Sequence, residues 1–122
     1  MRSTSILAAP LFSAAVIFVT ATGVAEANTG KQCGGASWYA LHSKTASGEM
    51  MNPNAMTAAH RSLPFGTKVR VTHKRSGRST VVRVNDRGPF IKGRIVDLSK
   101  AAAGRLGLIQ AGHGEVCLEV MP

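Results

Sequence analysis

From Ala36 to Val120 the chain is broken by turn residues into short runs, only one of which has helical character, and this punctuation limits the fold more than any other feature. Val69 and Val71 alternate with Lys68, Arg70 and Thr72, the period of two that marks a half-buried strand from Lys68 to His73. Ser76-Gly77 then turns the chain into a second such run, Ser79 to Asn85. There Val82 and Val84 share one face, Arg83 and Asn85 the other, and continued alternation would bring Asp86 out beside the valines. Ala36 to Tyr39, Arg94 to Asp97 and Val116 to Val120 read as further strands. Ala55 to His60 reads as a short strand or a helical turn. Ser99 is suited to cap a helix from Lys100 to about Leu106, with Gly107 as its C-terminal stop. Several strands, one short helix and many glycines predict a mostly β chain, a small barrel.

The N-terminal segment has a different character. Arg2 precedes an apolar run from Ile6 to Val19, and Ala25-Glu26-Ala27 offers a small-x-small cleavage pattern, so residues 1–27 read as a secretory signal peptide. The run is shorter than the ~20 residues a membrane anchor needs, and Gly30-Lys31-Gln32 before Cys33 is not a lipobox. The expected organisation is a signal peptide (1–27), a short leader (28–33) and one domain (34–122), exported to the periplasm or beyond with neither a lipid anchor nor a stable membrane anchor. Cys33 and Cys117 lie near opposite ends of that mature chain, in a compartment where disulfides persist. A bridge is the expectation; free thiols or metal ligands are the alternative.

Fifteen Lys and Arg against six Asp and Glu give a net charge of +9. Such a balance suggests an anionic partner. Export points to the wall or the membrane surface rather than nucleic acid, and the scarcity of aromatic platforms argues the same way. Acids are few enough to judge singly. Glu115 and Glu119 are expected to face solvent, and Asp97, two residues before Ser99, to organise the helix start or pair with an arginine. Asp86 ends a strand before Gly88-Pro89, where it either shapes the loop or faces a cleft. Glu49 follows Ser47-Gly48 in a loop. The histidines His42, His60, His73 and His113 lack metal-ligand spacing, so no metal or other cofactor is expected.

Six segments in order carry a resemblance: Ala36-Ser37-Trp38-Tyr39, Thr45-Ala46-Ser47-Gly48-Glu49, Met56-Thr57-Ala58-Ala59-His60, Leu63-Pro64-Phe65-Gly66-Thr67, Val84-Asn85-Asp86-Arg87-Gly88-Pro89-Phe90 and Gly93-Arg94-Ile95-Val96-Asp97-Leu98-Ser99. Together, over about Gly34 to Val120, they resemble the RlpA-like (rare lipoprotein A) family. The resemblance implies a six-stranded double-psi β-barrel with a polysaccharide groove. It also implies lytic transglycosylase activity on peptidoglycan glycan strands, including strands stripped of stem peptides. Asp86 matches the catalytic acid, with Glu49 and His60 at positions associated with the active groove. Tyr39, Thr45, Arg87 and Phe90 are expected on the substrate-binding side, and Trp38 in the core. Ala40 stands where the family often has Gly, and Ser47 where it has Asn.

A single carboxyl suffices for the implied chemistry. It protonates the glycosidic oxygen, and the muramic C6 hydroxyl then attacks its own anomeric carbon, an intramolecular step that needs no positioned water. To hold a proton, Asp86 needs burial or a nearby negative charge, which Glu49 would supply and Arg83 and Arg87 would oppose. The competing reading is a non-catalytic, expansin-like module that binds wall polysaccharide. A monomer is the expected state.

Overall fold

The structure, a computed structural model, describes residues 30–122 together with Ala15. The expected signal peptide and cleavage site lie outside the described residues. Six strands, β1 (Gln32–Tyr39), β2 (Thr57–Ala59), β3 (Lys68–His73), β4 (Ser79–Asp86), β5 (Arg94–Ser99) and β6 (His113–Val120), close into a barrel in the order β1-β5-β2-β4-β3-β6. The β1–β5 and β2–β4 pairs are parallel and the other four antiparallel. The fold is the expected mostly β, double-psi type of barrel. The one helix among the described residues, α1 (Lys100–Leu106), follows β5 directly.

Strand alternation fills the barrel. Ala36, Ala58, Val69, Val71, Val82, Val84, Val96, Leu98, Val116 and Leu118 point inward and form one buried cluster, against which Trp38 packs. Leu106 at the end of the helix and Leu108 just after it join that cluster. Ser99 caps α1 as anticipated: its Oγ accepts from the Ala102 amide at 3.2 Å and donates to the Ala55 carbonyl at 2.6 Å. Gly107 ends the helix in the left-handed region (φ 75°), where glycine carries no Cβ penalty.

Two boundaries differ from the sequence reading for one reason. β1 begins at Gln32 and β6 at His113, because these ends of the two strands pair with each other, Gln32 opposite Leu118 and Ser37 opposite His113. The exposed residues at their ends carry no hydrophobic period to announce them. Cys33 and Cys117 stand directly opposite in this pairing and form a disulfide, with Cα atoms 4.0 Å apart.

β4 contains the irregularity that matters for the site. Ala58 of β2 pairs with Val84, but its neighbour Ala59 pairs with Asp86, so Asn85 is an extra residue in β4. The extra residue reverses the alternation beyond it. Asp86 therefore does not share the inward face of Val82 and Val84, as simple alternation predicted; it shares the outward face of Ala59. Asn85, expected outside beside Arg83, is instead 1% exposed. It is roofed by the Thr45–Glu49 loop, whose Ser47 amide donates to its carbonyl at 3.3 Å.

Candidate active site

Register places a line of residues across the outer surface of the barrel. Ser37 of β1 pairs with Asp97 of β5, Asp97 with Ala59 of β2, and Ala59 with Asp86 of β4. Adjacent strands lie about 4.8 Å apart, so the two aspartates sit about 10 Å apart at the backbone. Between them in the register is Ala59, 2% exposed, with a carboxyl on either side.

Asp86 is held by three donors. Its Oδ1 accepts from the Ala46 amide at 2.8 Å and the Arg87 amide at 2.9 Å, and its Oδ2 from the Tyr39 hydroxyl at 2.9 Å. The Ala46 amide is delivered by the Thr45–Glu49 turn. Thr45, buried at 6% exposure, donates through Oγ1 to the Glu49 carbonyl at 2.8 Å, and its amide donates to the same oxygen. Thr45 thus shapes the loop that delivers Ala46.

Glu49 departs from expectation. Both its oxygens face Arg83 in a two-pronged ion pair, at 2.8 and 3.0 Å, and Asn85 Nδ2 adds a bond at 3.0 Å. The Arg83 and Asn85 hydrogen bonds hold the Glu49 carboxyl below its usual range. Glu49 is therefore a carboxylate spent on Arg83, and it anchors the loop that carries Ala46. Asn85 Oδ1, by contrast, is buried without a partner.

His60 is 5% exposed and both ring nitrogens are occupied. Nδ1 accepts from the amides of Ser62 and Leu63 at 3.2 and 3.1 Å, which leaves Nε2 to carry the proton and donate to Gln32 Oε1 at 2.9 Å. Burial, then the charges of Arg87 and Arg61, push its pKa down. The ring is a neutral knot beneath the site; only its backbone reaches Asp86, through an amide bond to the Asp86 carbonyl at 3.1 Å.

Neither arginine expected to favour ionised Asp86 bonds its carboxyl by a guanidinium. Arg83 is paired with Glu49, and Arg87 donates to the carbonyls of His60 and Leu63 at 3.1 and 2.7 Å while lying 4.0 Å from the centre of the Phe65 ring. Arg87 contributes its backbone amide to the site and its side chain to the turn that follows β2. Phe90, 79% exposed, lies beside Gly88 and leaves a flat aromatic face open to solvent near Asp97.

Two contributors were missed in the sequence. Asp97 does not organise the helix start, which Ser99 does alone, nor does it pair with an arginine; it accepts a short hydrogen bond from Ser37 Oγ. The signal was available, since Asp97 alternates with the inward Val96 and Leu98. Arg61 donates to the carbonyls of Pro89 and Arg94 at 2.7 and 2.6 Å, bracing the loop that presents Phe90. Nothing local in the sequence marks that contact. A hollow of about 610 Å³ bordered by His73, Arg75, His113 and Glu115 shares no residue with this site. Among the described residues no cluster of three or more His, Cys, Asp or Glu is placed to hold a metal, and no helix is long and apolar enough to cross a membrane.

Comparison with known proteins bears on the fold and the family. The streptomyces papain inhibitor superposes with a TM-score of 0.65 at 21% identity, covering 76% of this chain and 96% of that one. The apo expansin of Clavibacter michiganensis gives 0.62 at 24% identity, covering 76% of this chain and 51% of that one. At these identities the likeness concerns the fold. By sequence, a probable endolytic peptidoglycan transglycosylase RlpA of Nostoc is 65% identical over 77 residues, 63% of this chain and 21% of the relative. The endolytic peptidoglycan transglycosylase RlpA of Vibrio cholerae is 52% identical over 93 residues, 74% of this chain and 35% of the relative. The chain thus spans between about a fifth and about a third of the length of these two relatives. The lytic transglycolase family model matches residues 31–118, the whole barrel but its last two strand residues, and the chain belongs to that family.

Proposed function

We propose that this barrel is the catalytic unit of an endolytic peptidoglycan lytic transglycosylase, acting in the cell envelope on glycan strands free of stem peptides. It would cleave between N-acetylmuramic acid and N-acetylglucosamine and leave 1,6-anhydro ends. The observation that carries the reading is the Asp86 carboxyl on the outer face of the barrel, fixed by Ala46, Arg87 and Tyr39. A carboxyl so restrained has one orientation in which to meet a glycosidic oxygen, and orientation is where an intramolecular ring closure gains most. Asp97, across Ala59, adds negative charge where positive charge develops at the anomeric carbon. The names of the sequence relatives support the same activity.

In this reading Glu49 and His60 act at one remove, through the loop and the turn that hold Asp86, and Phe90 offers a face to a sugar ring. Export on the segment 1–27 and retention in the wall by a +9 domain are part of the proposal. The test is digestion of peptide-stripped peptidoglycan by the mature protein and by Asp86→Asn, read by mass spectrometry. Anhydro ends from the wild type alone are expected. A folded wild type that pellets with the glycan yet yields no such ends would leave the expansin-like binding module as the function.

A further inference from the structure

Tyr39 is the only tyrosine in the chain, and the resemblance puts it on the substrate-binding side. Its hydroxyl has another task. Asp86 Oδ1 accepts two backbone amides, which occupy both of its lone pairs. Oδ2 accepts only the Tyr39 hydroxyl and keeps one lone-pair direction free. Resting on the reading of Asp86 as the acid, we infer that the transferable proton resides on Oδ2, and that Tyr39 is the positioning residue that aims it and stabilises the carboxylate left behind.

The energetic logic is differential. While Asp86 is protonated, the phenol donates to the oxygen of a neutral acid. As the proton leaves, the same bond becomes charge-assisted, roughly twice as strong. An interaction that tightens along the reaction lowers the barrier, whereas one present equally before and after does not. The proton passes from Oδ2 to the glycosidic oxygen, which departs with the electron pair of the broken carbon–oxygen bond. The muramic C6 oxygen forms the new bond to the anomeric carbon, and its proton returns to Oδ2. Tyr39 keeps its own proton throughout. Half-burial, the hydrogen bond to Asp86 and the charges of Asp86 and Asp97 all hold the phenol well above the ordinary tyrosine range.

Because no other tyrosine is present, the ultraviolet absorbance of tyrosinate, or the fluorine signal of protein grown with fluorotyrosine, reports this one residue. In the wild type the phenol is expected to ionise well above the ordinary value of about 10, and in Asp86→Asn the midpoint is expected to fall towards it. Tyr39→Phe keeps the ring and removes the donor. It is expected to lower kcat by about tenfold to a hundredfold with KM and glycan pelleting unchanged. The alkaline limb of its pH–rate profile, where the acid loses its proton, is expected to move upward, because a carboxylate deprived of a donor holds its proton to higher pH. Circular dichroism checks that both variants are folded. Wild-type kcat and an unmoved profile in Tyr39→Phe, or a tyrosine that titrates alike with and without Asp86, would overturn the inference while leaving the enzyme intact. A wild type with no turnover, its tyrosine still coupled to Asp86, would overturn the catalytic reading and the proton assignment together.

Discussion

At the scale of single residues, the site separates groups that meet substrate from groups that hold them in place. His60 is of the second kind, and its hydrogen bonds make it sensitive to pH. Its Nδ1 must stay unprotonated to accept the Ser62 and Leu63 amides, and its folded pKa is lowered by burial and by Arg87 and Arg61. A group with a depressed folded pKa contributes stability above its unfolded value, about 6.5, and loses it as pH falls through the folded one. Melting temperature should therefore drop as pH falls below about 6.5 in the wild type, and His60→Gln should be less stable at neutral pH with a flatter dependence over that range. Stripping the two amides of their acceptor costs on the order of 1–3 kcal/mol. Glu49 makes a different prediction. Its pair with Arg83 is 41% exposed on both sides, so it adds only about 0.5 kcal/mol to global stability. Glu49→Gln should accordingly melt near the wild type yet lose activity, because the loop delivering the Ala46 amide loses its anchor. Protonation should mimic the variant below about pH 4.5, as pH falls through the lowered folded pKa. Thermal melts beside single-turnover rates on the same samples check both parts.

At the scale of elements, what was legible in the sequence was what repeats or caps. The valine alternation of β3 and β4 and the Ser99–Gly107 bracket of α1 are local codes, and the structure follows them. Ser99→Ala, which removes an acceptor for the Ala102 amide and a donor to the Ala55 carbonyl, should cost about 1–2 kcal/mol, read as a fall in denaturation midpoint without a change in slope. The extra residue in β4 was not legible. Asn85 becomes a bulge only because β2, a three-residue strand 26 positions earlier, pairs on both sides of it. No local pattern encodes a partner's register. The same limit hides how Glu49 and Thr45 are tied down. Their ties to Arg83, Asn85 and their own turn arise from the way the 45–49 loop folds back over β4. The identities of the site residues were thus visible in ordered motifs, while their division of labour depended on contacts between segments distant along the chain.

At the scale of the whole molecule, closure is the property on which the site depends. The outer line from Ser37 to Asp86 exists only while β1, β5, β2 and β4 stay in register, and β1 is held on its other edge by β6 alone. Cys33–Cys117 fastens that seam near the N-terminal end of β1 and the middle of β6, joining residues 84 apart in sequence. A cross-link over such a loop stabilises by about 4–5 kcal/mol in the chain-entropy treatment. For a domain of this size each kcal/mol is worth about 4–8 °C in Tm, so Cys33→Ser with Cys117→Ser, or reduction of the native protein, should lower Tm by 15 °C or more on that order. The seam also fixes the edge on which Gln32 reaches His60, at 2.9 Å. Loss of the bridge should therefore loosen the turn beneath Asp86 before the barrel opens, and hydrogen exchange of the Ser62 and Leu63 amides should quicken at temperatures where the strand amides of β3 and β4 remain protected. Equal acceleration at all these amides would instead mean that the barrel opens as one unit, with no weak edge at β1.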